Sequence, residues 1–332
     1  MTQFRKSIAA VLLGLVASAA LADTTLLNVS YDVARDVYKD YNPMFQKYWK
    51  AKTGEAVEVK QSHGGSTKQV RAVADGLEAD VVTMNQANDI EFLADKGLVA
   101  KDWAKKFPNN ASPYTSTMVF IVRKGNPKAI KDWSDVAAPG IQMIIPHPKN
   151  TGNGRNTYLS AWAWALKQPG GNDAKAQEFV GKLLKNAPLF AAGGRDATTT
   201  FMQRKMGDVL ITFESEAEMI AKEFGKGEFE VVYPSLTMQT EFPVALVDKV
   251  VDKKGSRKQA TAYLEYLWSK EGQENAAQNY LRPRDPELLK KYAASFPAVK
   301  TFTVDEVFGG ANKAFVTHFK DGGSFDQIYV VK

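Results

Sequence analysis

Cysteine is missing from the whole chain of 332 residues. No disulfide framework, thiolate metal site or cysteine nucleophile can be built without it. Histidine is nearly missing as well. His63, His147 and His318 stand far apart, and none has a partner at zinc-ligand spacing. Neither sign of charge dominates: 43 Lys and Arg stand against 37 Asp and Glu, a net +6 spread in mixed-sign segments. That excess favours small anions, whereas nucleic-acid binding calls for a basic, aromatic-interleaved patch that the chain lacks. A phosphate-binding P-loop is absent, and Gly152-Asn153-Gly154-Arg155-Asn156-Thr157 lacks the third glycine of a dinucleotide loop. There is no G-x-S-x-G nucleophile elbow, no internal repeat and no low-complexity stretch.

Long apolar runs are also scarce. The one at residues 8–17 follows Arg5 and Lys6 and precedes the small-x-small site Ala20-Leu21-Ala22. This is the pattern of a secretory signal over residues 1–22, cleaved before Asp23. The run is short for a bilayer span of ~20 residues. The mature chain is therefore expected to be a soluble periplasmic protein. Without disulfides it must rely on its core, and its length allows a large one divided over two lobes.

What remains alternates short β-rich runs with helical patterns, the signature of an α/β fold. Strands are expected at 25–30, 56–61, 79–83, 117–123, 141–145, 209–213, 228–233 and 244–251. Helices are expected near 33–53, 67–76, 89–96, 157–167 and 174–185. The β-rich stretches 117–123 and 244–251 cut the chain into three blocks. Residues 23–116 and 244–332 would form one lobe and 117–243 the other, with a ligand in the cleft between them. One continuous sheet fits the same pattern.

Four strand-to-helix junctions share a chemical character. Strand residues up to Tyr31 run into Asp32. Gln61 leads to Ser62-His63-Gly64-Gly65-Ser66. The strand near 145 leads to Asn150-Thr151-Gly152-Asn153-Gly154-Arg155. Gly193-Gly194-Arg195-Asp196 opens the helical stretch 197–205. A helix N-terminus presents unpaired N–H groups and partial positive charge, and glycine lets an anion approach the backbone closely. Several such ends aimed at one cleft make an anion site without charged side chains. Ser66-x-x-Gln69 has the form of a capping box. Any one such turn is commonplace, but four in one chain favour an anion site. His63 is expected to be structural, and Glu214, Glu216, Asp305 and Glu306 to lie on solvated helix faces. No cofactor and no metal are expected.

At these junctions the chain resembles the periplasmic sulfate- and thiosulfate-binding proteins of ABC importers. The resemblance includes Leu27-Asn28-Val29-Ser30-Tyr31-Asp32, Gln61 through Ser66 with Lys68-Gln69, and Pro113-Tyr114-x-Ser116-Thr117. It continues in Val122-Arg123-Lys124-Gly125-Asn126-Pro127-Lys128, Arg282-Pro283-Arg284-Asp285, Asp305-Glu306-Val307-Phe308-Gly309-Gly310 and Asp321-Gly322-Gly323-x-Phe325-Asp326. It implies a monomeric two-lobed clamp, a venus-flytrap fold of type II with two crossover strands, that delivers sulfate or thiosulfate to permease subunits and is not an enzyme. The implied ligand-binding residues are the Asp32 N–H, the Ser66 hydroxyl, Thr151, the N–H groups of Gly152 and Asn153, the Gly194 N–H, and Phe213. Sulfate-type members place a tryptophan at Phe213, a serine at Thr151 and a glycine at Asn153. The segments around Gly193 and Phe213 resemble the thiosulfate type. Molybdate or phosphate as ligand, or hydrolysis or transfer of sulfate or phosphate esters, are the alternatives.

Overall fold

The computed structural model describes residues 24–225 and 227–329, so the signal segment expected at 1–22 lies outside the described residues. The described strands are, in chain order, β1 (Thr24–Tyr31), β2 (Val57–Gly64), β3 (Val81–Thr83), β4 (Tyr114–Arg123), β5 (Met143–Pro146) and β6 (Phe190–Ala191). They continue with β7 (Val209–Phe213), β8 (Phe229–Val232), β9 (Thr237–Glu241), β10 (Val244–Leu246), β11 (Arg282–Pro283) and β12 (Thr301–Phe302). They form two sheets. One runs β10-β3-β1-β2; the other runs β12-β9-β4-β7-β5-β6, with β8 and β11 also paired to β4.

In the first sheet β1 lies parallel to β2 and β3, with Val29 opposite Ser62 and Val82. Parallel neighbours need crossover connections, and the helices Arg35–Thr53 and Ser66–Ala74 supply them. Tyr38, Tyr41, Phe45 and Trp49 recur at three- and four-residue spacing and are buried, the stripe a packed helix requires. The first three pack on Tyr263, whose hydroxyl donates to Asn42 at 2.8 Å while its carbonyl accepts from Tyr41 at 2.5 Å. Residues near 263 thus share a core with the first block.

The long strand β4 organises the second sheet. Its start pairs with β9 and β11, and its end with β7 and β8. Nine of its ten residues are buried, as expected of a central strand covered on both faces. The last described residues span both halves. Helix Ala311–His318 packs on helix Ala87–Asp95, and helix Ser324–Ile328 packs on helix Asp173–Lys185. Lys149 Nζ bonds Asp321 and Asp326 at 2.9 Å each.

The expected strand 244–251 stops at Leu246, and Asp248–Lys254 is a helix. The β-branched run misleads here. Asp248 in the first turn and Lys253 and Lys254 in the last suit the helix dipole, and Gly255 ends the helix at φ +67°. Strand β9, with the polar sequence Thr-Met-Gln-Thr-Glu, has no apolar alternation to announce it; pairing to β4 makes it a strand. No described helix is long and apolar enough to cross a membrane.

Candidate anion site between the two sheets

Strand ends from both sheets meet at one cavity. Asp32 opens a short 3-10 turn after β1, and Ser66 is the first residue of its helix after β2. Thr151 caps helix Gly152–Leu166 after β5. Gly194 starts helix Gly194–Met202 after β6, and Phe213 at the end of β7 is the N-cap of helix Glu214–Phe224. Asp32, Ser66, Thr151, Gly152, Asn153, Gly194 and Phe213 all line this cavity, together with Tyr31, Val33, Gly65, Asn85 and Gly193. The space open to the centre of a water-sized sphere is about 20 Å³, somewhat more than one water molecule needs. Such a volume suits an ion of a few heavy atoms.

The donors are largely main-chain. In helix Gly152–Leu166 the Gly154 N–H bonds Thr151 Oγ1 at 3.1 Å and the Arg155 N–H bonds the Thr151 carbonyl at 3.1 Å. The Gly152 and Asn153 N–H groups precede these and have no acceptor within the helix. In helix Gly194–Met202 the Arg195 N–H donates to Asp32 Oδ2 at 3.1 Å and the Ala197 N–H to the Gly193 carbonyl at 3.0 Å, while the Gly194 N–H, at the first position of the helix, has no acceptor within it. The partial positive ends of these helices supply the potential for an anion.

The two hydroxyls are engaged inside the protein. Ser66 donates to the Asp89 carboxylate and accepts from Gln86 Nε2 at 3.2 Å. The capping box expected at Ser66 does not form: Gly65 is the N-cap, and the Gln69 side chain instead bonds Ser62 at 3.2 Å. Thr151 does cap, and its hydroxyl donates to the His147 carbonyl at 3.0 Å.

Close packing dictates residue type at two glycines. A Cβ on Gly152 would stand 2.0 Å from Asn85 Oδ1, and one on Gly194 would stand 3.1 Å from both Val33 Cγ1 and Glu216 Oε1. Asn85 was not anticipated. It follows β3 just before helix Ala87–Asp95, a further junction of the same kind, but it carries no glycine or serine to mark it. Phe213 is 1% exposed and packs edge-on against Phe242 at 5.5 Å. It offers the cavity an aromatic ring and no donor.

Charges near the cavity differ from expectation. Glu214 and Glu216 do not lie on a solvated face; both are buried. Glu214 accepts from Arg282 at 2.7 and 2.8 Å and from the Tyr233 hydroxyl at 3.0 Å. Burial, with the Asp32 charge adding and Arg195 opposing, pushes the Glu216 carboxyl up to about 8. His63 Nδ1 lies 2.7 Å from Ser30 Oγ and is outside the cavity lining. Burial first, then Arg35, lowers its pKa below the usual histidine value. Asp196 accepts from the Ala192 N–H at 3.0 Å and faces Arg204 at 3.8 Å, so it caps its own loop.

A model of the bacterial extracellular solute-binding protein family matches residues 30–282. The chain belongs to this family. As a bacterial extracellular solute-binding protein it is 64% identical over 312 residues to the thiosulfate-binding protein of Pseudomonas aeruginosa, which covers 94% of each chain. It is 52% identical over 315 residues to the sulfate-binding protein of Escherichia coli, covering 95% of this chain and 96% of that one. Among solved structures, the sulfate-binding protein SubI of Mycobacterium tuberculosis aligns with TM-score 0.81 and 32% identity over 90% of this chain and 100% of that chain. The two-lobed α/β fold expected from the sequence is the fold of these binding proteins.

Proposed function

We propose that this protein is the periplasmic receptor of an ABC importer that captures thiosulfate and sulfate and hands them to the permease subunits. The observation that carries this reading is the cavity itself: five helix N-terminal ends converge on a space for a few heavy atoms. The N–H groups of Asp32, Gly152, Asn153 and Gly194 are the donors, joined by the Ser66 hydroxyl once it turns from Asp89, while Thr151 holds its helix start in place. The lobes are taken as residues 23–116 with 244–332 and 117–243, with the short strands β11 and β12 of the last block reaching across to the second sheet, and they close on the anion as a hinged clamp. Among the described residues no histidine lines the cavity to activate a hydroxyl, and the small volume leaves no room for the organic part of an ester. Both points favour a receptor over a hydrolase. Parallel calorimetry with thiosulfate, sulfate, phosphate and molybdate tests the assignment: tight binding of the first two is expected, and binding of none would overturn it.

Phosphate is expected to bind at least about tenfold more weakly than sulfate. Near neutrality it carries a proton, and burying that hydroxyl without an acceptor costs roughly 1–3 kcal/mol. Among the described residues Asp32 is the carboxylate side chain in the lining, and it already accepts from the Arg195 N–H. Equal affinity for phosphate and sulfate in a competition titration would show that Asp32 accepts the proton.

Ser66→Ala is expected to weaken sulfate binding by about 1.5–3 kcal/mol, the loss of a hydrogen bond to a charged partner. Although Gly65 and not Ser66 holds the cap position, the change also takes a partner from the buried Asp89 and Gln86 side chains, so the melting temperature should fall as well and affinity is compared on folded protein. Unchanged affinity would mean that the hydroxyl stays on Asp89 when the anion is bound.

A further inference from the structure

A dianion in the cavity would be the third negative group at the start of helix Gly194–Met202. Asp32 is the first, with its Oδ2 on the Arg195 N–H at 3.1 Å. Glu216 is the second: its Oε1 and Oε2 lie 3.1 and 3.5 Å from the position of a Cβ on Gly194. Glu216 is 2% exposed, and its Oε2 is buried without a hydrogen-bond partner. An ionised oxygen in that position is strongly disfavoured, and a dianion beyond Gly194 disfavours it further.

The groups facing Glu216 do not neutralise it. Asp32 comes from the turn after β1 and adds negative charge. The Tyr31 hydroxyl comes from β1 itself, where burial keeps it neutral well beyond the usual tyrosine range. Arg195, from helix Gly194–Met202, is the cation near it, and its guanidinium is engaged by Glu223 on Glu216's own helix.

We propose that Glu216 is the proton-holding residue of the anion site: it takes a proton from solvent as the dianion binds and remains a neutral carboxylic acid while the anion is held. The inference rests on the anion-binding reading above. The O–H bond forms on a Glu216 carboxyl oxygen and the proton comes from water or buffer. Sulfate and thiosulfate are full dianions near neutrality and release none.

The sign follows from linkage. Without anion, burial and then the Asp32 charge push the Glu216 carboxyl up to about 8, and bound anion raises it further. Below pH 7 both forms hold the proton, so affinity is flat. As pH rises through 8 the free protein loses a proton that binding must restore, and affinity falls by up to about tenfold at pH 9. His63, held below the usual histidine value, is neutral at pH 8.

The test is titration calorimetry of thiosulfate in buffers of different ionisation enthalpy, which counts protons taken up per anion bound. Uptake should be about a tenth of a proton or less at pH 7 and about half a proton at pH 8. In Glu216→Gln uptake at pH 8 should vanish and affinity should stay flat to pH 9. A readout without anion comes from melting. The difference in melting temperature between Glu216→Gln and the parent should grow from pH 5 to pH 8, because the unfolded carboxyl ionises over that range while the folded one keeps its proton. Binding heat without proton uptake at pH 8 overturns the proposal, as does uptake unchanged in the variant. If the variant does not fold, the proton count on the parent protein decides alone. Absence of any binding heat would instead overturn the anion-binding reading itself.

Discussion

Gly152→Ala is expected to weaken thiosulfate binding by roughly ten- to a hundredfold while leaving the protein folded. The added Cβ would stand 2.0 Å from Asn85 Oδ1 and 2.6 Å from its Cγ. Asn85 is 5% exposed and has little room to retreat. Gly152 opens a helix on the second sheet's side, and Asn85 follows β3 of the first. The clash therefore falls between the two halves, inside neither core. A protein with its halves held slightly apart keeps its packing but cannot surround the anion. Calorimetry with thiosulfate and melting without it separate the two effects. Affinity equal to the parent's would show that Asn85 moves aside; a large drop in melting temperature would place the contact in the core.

Phe213→Trp is expected to shift the sulfate-to-thiosulfate affinity ratio toward sulfate by roughly three- to thirtyfold. An indole N–H is a donor where the phenyl ring has none, and a hydrogen bond to a charged oxygen contributes about 1.5–3 kcal/mol, from which the larger ring's packing cost must be subtracted. Thiosulfate presents one larger, softer sulfur, and sulfur against an aromatic ring is favourable by ~0.3–1.5 kcal/mol in the thioether case. The parent protein should accordingly bind thiosulfate at least as tightly as sulfate. Phe213 lines the cavity yet is 1% exposed and wedged against Phe242, so both ligands must be measured on both proteins. An unchanged ratio in a folded variant would assign Phe213 to packing alone.

Much of the site was legible because its residues sit where short motifs meet strand ends. Asp32, Ser66, Thr151, Gly152, Asn153 and Gly194 lie at the junctions read from the residues, Phe213 enters through the family resemblance alone, and all seven line one cavity. Helix N-termini need small residues and turn formers, and those leave a mark. Asn85 left none, because its role at Gly152 is a matter of space across the cleft. Glu216 was misread for a related reason. On helix Glu214–Phe224 charged residues recur as on a solvated face, and only the approach of Gly194 to Glu216 and the link of Glu214 to Arg282, both distant in sequence, reveal the burial. Strand β7 is legible at its full bounds because four apolar residues and a β-branched threonine end at a helix start. Strand β9 was missed because pairing with β4 and β12, a contact between distant segments, is all that defines it.

The central claim is that main-chain N–H groups at converging helix starts hold the anion. A crystal structure with thiosulfate bound, its two sulfur atoms located by anomalous scattering, tests this most directly. The account predicts the anion in the cavity between the sheets, its oxygens within hydrogen-bond distance of the Asp32, Gly152, Asn153 and Gly194 N–H groups and its terminal sulfur against the Phe213 ring. Thiosulfate found in the neighbouring cleft beside Arg71 and Lys149, held by their charged side chains, would contradict it.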